Sequence, residues 1–364
     1  MYISSLSLSN FRNYSAEKFE FSPHTNVIYG DNAQGKTNIL EAVYIFSQGR
    51  SHRAKTDKEL IKFGSDFAKL SLDFHDNERD YSAAVQMVKN GKKSIKINHV
   101  QITKLSMLMN YLNVVMFSPE DLELVKGAPS ARRRFIDSSI SQLYPRYLTS
   151  LIDYHKALGQ KNSLLKTLKA KGAKSDIMLS VWNDQLAAEG SKIMEYRMEF
   201  VRLIDKFASK IQNEISGEQL NITYSPGIKS ESTEKSAIFK YLERNQRREI
   251  ELASAQVGIQ RDDLHIAINN NEARIYGSQG QQRTAALSMK IAQADYIHYI
   301  KGEYPVLLLD DIMSELDINR RMYLSQKIRD KQVLITSTDT DIIESTSDTR
   351  LLHIKNGAVI REEN

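Results

Sequence analysis

The sequence predicts an α/β fold interrupted by a mainly helical domain, and three features of its 364 residues make that prediction. An apolar strand at residues 25–29 runs into a glycine-rich loop and an apolar helix at 38–48. A second apolar strand, 306–309, ends in Asp310 and Asp311. Between them, from about 131 to 217, apolar residues keep helical spacing and no strand pattern occurs. A chain of this length with 41% hydrophobic residues can bury more than one core. The expected division is 1–125 and 255–364 for the two parts of the α/β body, with 126–254 as the helical domain between them.

Residues 3–9 alternate polar and apolar, as a strand with one buried face does. Strand-like runs at 81–88 and 94–100 flank Asn90-Gly91, the pair suited to the positive backbone angles of a type I′ turn, so a hairpin is expected there. Its tip carries Lys89, Lys92, Lys93 and Lys96. In the helical stretch, Leu151, Tyr154, Leu158, Leu165 and Leu168 form a stripe that Lys161 interrupts. After a turn at 171–174, with Ser175 as the expected cap, the stripe resumes from Leu179 through Leu186, Ile193 and Phe200 to Phe207. The second helix would be about 60 Å long at 1.5 Å per residue. A projecting antiparallel arm and a compact bundle both satisfy this pattern. The α/β texture returns with a strand near 265–269, a helix at 281–299 and a strand at 333–336.

The chain has no cysteine, which excludes disulfides, thiolate metal sites and a cysteine nucleophile. It shows no leader pattern and no apolar run of membrane-spanning length, so a cytoplasmic protein with no membrane partner is expected. The net charge of +5 is unevenly spread. From Lys126 to Asp176 eleven cationic residues, among them Arg132, Arg133, Arg134, Lys156, Lys161, Lys166, Lys169, Lys171 and Lys174, face only Asp137, Asp153 and Asp176. That is a local +8 against −3 elsewhere. Such a concentration suits a polyanion, and equally a solvated helix face.

Gly30-Asp31-Asn32-Ala33-Gln34-Gly35-Lys36-Thr37 has the form G-x-x-x-x-G-K-[ST] in the required strand–loop–helix setting. The glycines let backbone N–H groups wrap phosphates, Lys36 reaches the β- and γ-phosphate oxygens, and the Thr37 hydroxyl ligates Mg²⁺. ATP with Mg²⁺ is therefore the expected ligand. Of the paired carboxylates, Asp310 is placed to hold the Mg²⁺ shell and Asp311 to orient or deprotonate water. Further along, Gly277-Ser278-Gln279-Gly280-Gln281 opens a helix, where a hydroxyl, a bare glycine and a helix N-terminus make an anion site.

That segment resembles the ABC signature, Leu-Ser-Gly-Gly-Gln, with Gly277 and Gln279 as departures. Residues 314–317 (Ser-Glu-Leu-Asp) resemble the D-loop, and 333–339 the switch strand, with Thr338 in the place of the usual histidine. Residues 117–121 resemble the Q-loop, with serine for glutamine. Asn10-Phe11-Arg12-Asn13-Tyr14 is similar to the opening of SMC proteins. Residues 30–38, 49–53 (Gly-Arg-Ser-His-Arg), 118–122, 132–137 (Arg-Arg-Arg-Phe-Ile-Asp), 261–264 (Arg-Asp-Asp-Leu) and 280–284 span nearly the whole chain. Together they resemble the RecF family, DNA-repair ATPases of the ABC/SMC group. One departure is Ile259-Gln260, where that family leads one to expect Pro-His.

The resemblance implies an ABC/SMC-type ATPase head with a short coiled-coil arm, acting in DNA replication, repair and the SOS response. It implies that Ser278, Gly280 and Gln281 of one copy meet the ATP held by another, that Asp317 contacts the opposite copy, and that Arg12 lies near the phosphates. It further implies an ATP-bound homodimer on double-stranded or gapped DNA, partnership with RecO and RecR, and assistance to RecA loading, while the departures at Ser118 and Thr338 lead one to expect a slow, DNA-stimulated ATPase. A transport ATPase subunit or another P-loop phosphotransferase would share the loop, and a DNA translocase is a third reading. DNA binding that depends on ATP would separate them.

Overall fold

The computed structural model describes residues 1–338 and 349–363, and the chain divides into two compact units. The first comprises Met1–Asp121, Glu214–Ser216 and Ala286–Asn364; the second comprises Leu122–Asn213 and Gly217–Ala285.

Two six-stranded sheets build the first unit. One is ordered Ala358–Glu363, Thr349–Lys355, Thr25–Tyr29, Val333–Ser337, Val306–Asp310, Val114–Phe117, parallel throughout except for the edge hairpin. Its central strands are largely buried, and Val306–Leu309 and Val333–Ile335 read as unbroken apolar runs because both faces are covered. The other sheet is antiparallel, ordered Tyr14–Glu20, Tyr2–Phe11, Phe67–His75, Asp80–Val88, Ser94–Ile97, Val100–Ile102. One hydrophobic core joins Ile3, Leu6 and Leu8 of the antiparallel sheet to Leu308 and Leu334 of the parallel one. Helix Lys36–Gln48 contributes to the same core and is buried on nearly every side. A helix enclosed nearly all round needs no broad polar face, and its middle, from Ile39 to Phe46, is apolar apart from Glu41.

The second unit holds helices Pro129–Ser141, Pro145–Lys171, Ile177–Ser216 and Lys235–Leu252, and a small antiparallel sheet of Leu220–Ser225, Asp263–Ile268 and Asn271–Glu272. Both long helices are present, and the second has 40 residues. Its cap is Asp176, whose side chain accepts from Met178 N at 2.7 Å, and not Ser175. Leu165, Leu168, Leu179 and Ile250 form a core near the turn, so helix Lys235–Leu252 packs with the hairpin as a third member. Lys161, the break in the stripe, is fully buried and ion-paired at 2.6 Å with the equally buried Glu249 of that third helix.

Two other expectations shift. The first unit boundary falls at Asp121, but the return falls at Ala286 instead of 255. Strand Asp263–Ile268 pairs with Leu220–Ser225, and this ladder ties residues 255–285 to the helical unit. In the 81–100 region, neither Asn90 nor Gly91 takes a positive φ, so the type I′ turn is not there. It falls at Asn98 and His99, with φ of 47° and 68°, between the paired residues Ile97 and Val100. Among the described residues no helix is long and apolar enough to cross a membrane.

Candidate nucleotide-binding site

The phosphate loop leaves the centre of the parallel sheet after Tyr29 and enters helix Lys36–Gln48. Gly30 has φ 145°, and a Cβ there would lie 2.3 Å from the Ile354 carbonyl oxygen. Gly35 has φ 114°, and its Cβ would lie 2.8 Å from the Tyr14 hydroxyl. Both glycines are thus required by close approach as well as by backbone angle. Ala33 takes a left-handed φ of 64° within the same loop, and Asp31 and Asn32 are exposed at its tip.

Lys36 is only 8% exposed. Its ammonium donates to the Gly30 carbonyl at 2.5 Å and to the Asp31 carbonyl at 2.8 Å. Burial pulls its pKa down, against the opposing pull of the Asp311, Asp31 and Asp310 carboxylates. The Thr37 hydroxyl donates to Asp310 Oδ1 at 2.8 Å, so residues far apart in sequence meet at the loop. The same oxygen accepts from the Thr336 hydroxyl at 2.8 Å, and Asp311 N donates to Thr336 Oγ1 at 3.0 Å. Asp311 takes a left-handed φ of 53° at the start of helix Ile312–Glu315. A hydroxyl and a carboxylate are hard oxygen donors of the kind Mg²⁺ takes alongside phosphate and water.

A brace of side chains holds the loop from behind. Asn13 Nδ2 donates to the Gln34 carbonyl at 2.8 Å, Tyr14 donates to the Gly35 carbonyl at 3.1 Å, and Asn38 donates to Asn13 Oδ1 at 2.9 Å. Asn356 N donates to Gln34 Oε1 at 2.6 Å. Asn13, Tyr14 and Asn38 lie inside two of the matched motifs, which is the only signal the sequence gives of them. Arg12, in the same run, grips the fully buried Glu41 of the helix that follows the loop in a bidentate pair at 2.8 and 2.7 Å. That hydrogen-bonded partner raises the guanidinium pKa. Burial pushes the Glu41 carboxyl up, but hydrogen bonds from Arg12 and Ser51 overcome it and leave it below its ordinary value.

Ser278 caps helix Gln279–Lys301 in a reciprocal box: its N donates to Gln281 Oε1 at 2.8 Å, and Gln281 N donates to its hydroxyl at 3.2 Å. Gln281 also donates to Glu218 at 2.6 Å. Ser278 is exposed, Gly280 half-buried, and all three residues belong to the helical unit. Asp317 caps helix Ile318–Ile328 by accepting from Arg320 N at 3.0 Å and pairs with the Arg320 side chain. Ser118 N donates to Asp121, whose carboxyl burial pushes up in spite of Lys290 at 3.5 Å. Thr338 is exposed at the end of the switch strand, and Asp339 lies outside the described residues.

Part of the basic segment turns inward. Arg132 is 4% exposed and ion-paired with Asp263 at 2.5 Å, and Arg133 donates to the Asp262 carbonyl at 2.8 Å. Asp262 accepts from Arg197, Tyr224 and Gly227 N, and Arg197 also pairs with Asp137 at 2.8 Å. The Arg-Asp-Asp-Leu and Arg-Arg-Arg-Phe-Ile-Asp motifs therefore hold the helical unit together. Gln260, at the departure from the expected Pro-His, accepts from the Tyr154 hydroxyl at 2.8 Å within this network. Lys166, Lys169, Lys171 and Lys174 remain exposed.

Residues 2–360 match the family model for the RecF/RecN/SMC N terminal domain. The chain is 42% identical to the DNA replication and repair protein RecF of Clostridium perfringens over 363 residues, 99% of each chain. It is 40% identical to the RecF of Bacillus thuringiensis over 369 residues, covering 99% of this chain and 98% of that one. Among solved structures it resembles the recombination mediator protein RecF with ATP in the RecFOR pathway (TM-score 0.92, 34% identity, 100% of this chain and 98% of that one). It also shares the fold of an Smc head bound to the C-winged helix domain of ScpA (TM-score 0.57, 15% identity, 99% and 96% covered).

Proposed function

The chain belongs to the RecF family of the RecF/RecN/SMC group, and from that premise we propose that it is an ATP-dependent DNA-binding protein of recombinational repair. It binds ATP with Mg²⁺, pairs with a second copy of itself while ATP is present, and holds double-stranded DNA at gaps and single-strand/double-strand junctions. There it assists RecA loading together with RecO and RecR, in the cytoplasm.

The observation that carries this reading is the convergence of Lys36, Thr37 and Asp310 on one glycine-bent loop. The loop's backbone N–H groups and Lys36 would take the phosphates, the ammonium exchanging loop carbonyls for β- and γ-phosphate oxygens. Thr37 and Asp310 would hold Mg²⁺, which when bound neutralises charge on those oxygens. Asp311 orients the attacking water and accepts its proton. Turnover is slow, since serine and threonine stand where the glutamine and histidine of faster relatives would act, and it rises on DNA. The Ser278 hydroxyl, Gly280 and the helix N-terminus supply the anion site that a second copy offers to the γ-phosphate. A pair bridged in this way holds only while the third phosphate is present.

Sedimentation with a gapped duplex, in ATP and in ADP, tests this. A dimer that travels with the duplex in ATP and dissociates in ADP is expected, and Ser278→Arg should abolish the dimer while each monomer still binds ATP. A chain that stays monomeric in ATP would sink the closure. An ATP dimer indifferent to DNA would favour the transport or phosphotransferase reading.

A further inference from the structure

We propose that Phe63 is a base-stacking platform for single-stranded DNA. Phe63 is a large aromatic side chain left entirely in water, at 103% relative exposure. It stands at the corner of a four-residue turn closed by a hydrogen bond from Ser65 N to the Lys62 carbonyl at 3.0 Å. Gly64 supplies the positive φ, 85°, that the third position of a type II turn demands. The turn is held in place: Lys62 N donates to the Asn10 carbonyl at 2.8 Å, its ammonium donates to the Asn13 carbonyl at 3.2 Å, and Ile61 bridges to Phe11. An exposed ring presented on a fixed turn loses little freedom when a flat partner stacks on it.

The surroundings select the partner. Phe67, 43% exposed, pairs in register with Val88, 40% exposed, and Lys89 N donates to the Asp66 carbonyl at 2.9 Å. This brings the lysine-bearing hairpin tip to the same end of the sheet as the aromatic turn. Lys58 reaches Asn90 of that tip at 3.5 Å, and Lys89 and Lys92 are exposed. From Lys55 to Lys69 and from Lys89 to Lys96 there are eight lysines against Asp57, Glu59 and Asp66. Asp57 is already paired with Lys93. Aromatic faces set among cations are what unpaired bases and their phosphates take, whereas the bases of a duplex are stacked on each other and offer no free face. This inference rests on the DNA-binding reading above and assigns the single-stranded side of the junction.

The test compares labelled oligo(dT) with a blunt duplex of equal length, in ATP at one salt concentration. Phe63→Ala should weaken oligo(dT) binding about five- to 150-fold and leave duplex binding within about twofold. Phe63→Trp should keep the affinity, with its indole fluorescence quenched by oligo(dT) above the Trp182 background. Equal oligo(dT) affinity in wild type and Phe63→Ala, or an unquenched indole, overturns the proposal. A loss of self-association in Phe63→Ala with both DNA affinities intact also overturns it, by assigning the ring to a protein surface. Wild type that binds duplex and ignores oligo(dT) defeats the platform alone. Wild type that binds neither defeats the DNA-binding reading itself.

Discussion

In the unit that carries the phosphate loop, Lys36, Thr37, Asp310 and Asp311 gather round one bend of the chain, and their polar atoms meet there. In the helical unit, Lys161, Arg197 and Arg132 are as charged and as deeply buried, yet each ends on a carboxylate of its own unit: Glu249, Asp262 and Asp263. The first arrangement leaves a cation bonded to backbone carbonyls, which a phosphate can replace. The second leaves a cation already neutralised, with nothing further to offer. Buried charge marks a ligand site only where its partners are exchangeable.

The largest effect is expected at the exchangeable cation. Lys36→Met should remove nucleotide binding altogether, and with it retention on DNA, because the β- and γ-phosphates lose their positive partner. Calorimetric titration showing ordinary ATP affinity in that variant would erase the contrast between the two regions. At the neutralised cations the effect should fall on folding. Lys161→Met strands the Glu249 carboxylate in a fully buried position and should cost about 3–5 kcal/mol in chemical denaturation. Adding Glu249→Leu should recover part of that loss, because paired apolar side chains avoid desolvating two ions, while the Gln256 and Val257 N–H groups lose the carboxylate oxygen that accepts from them. A double variant as unstable as the single one would mean that the pair itself, and not the stranded charge, holds the helices.

Asp311→Asn sharpens the comparison within the site. The amide still fits but cannot accept a proton, so ATP should bind and close the dimer while turnover falls by about a hundredfold. Single-turnover hydrolysis at an unchanged rate would place water activation on another group, and Thr336, bonded to both Asp310 and the Asp311 backbone, is the next to test.

The contrast also explains what the sequence disclosed. The phosphate loop was legible because its chemistry requires glycines at fixed offsets from Lys36, and the structure shows what each glycine avoids. Asp310 was legible from the apolar run before it. The brace of Asn13, Tyr14 and Asn38 was not, since hydrogen bonds to loop carbonyls leave no periodic trace. In the helical unit the stripes revealed the two long helices, but Lys161 looked like a break in the pattern when it is a buried partner of Glu249. The charge count could not tell inner cations from outer ones: Arg132, Arg133 and Lys161 belong to the +8 segment and are spent inside the fold, whereas Lys156, Lys166, Lys169, Lys171 and Lys174 stay exposed. A count along the chain cannot see a carboxylate that arrives from a hundred residues away.

The smallest effect concerns the cations that remain outside. If Lys166, Lys169, Lys171 and Lys174 contact phosphates, each releases counterions, and log K should fall with log salt by about 0.9 per contact. Their replacement by glutamine would then flatten the slope by up to roughly three to four units without altering ATP binding. The head offers the competing path, but its lysines are not equivalent. Lys93 donates to the Gly49 carbonyl at 2.8 Å and pairs with Asp57 at 2.9 Å, so it braces the fold and has little left for DNA. Lys89 and Lys92 are exposed at the turn itself, with Lys96 exposed in the strand that follows, and glutamine variants of the two turn lysines are the proper counterpart. Phosphate contact by both would flatten the slope by roughly two units. An unchanged slope in the arm variant beside a reduced one in Lys89→Gln/Lys92→Gln would run the DNA over the antiparallel sheet, close to Phe63. The reverse result would run it along the helices, and the lysine tip of the sheet would then be ordinary solvated surface.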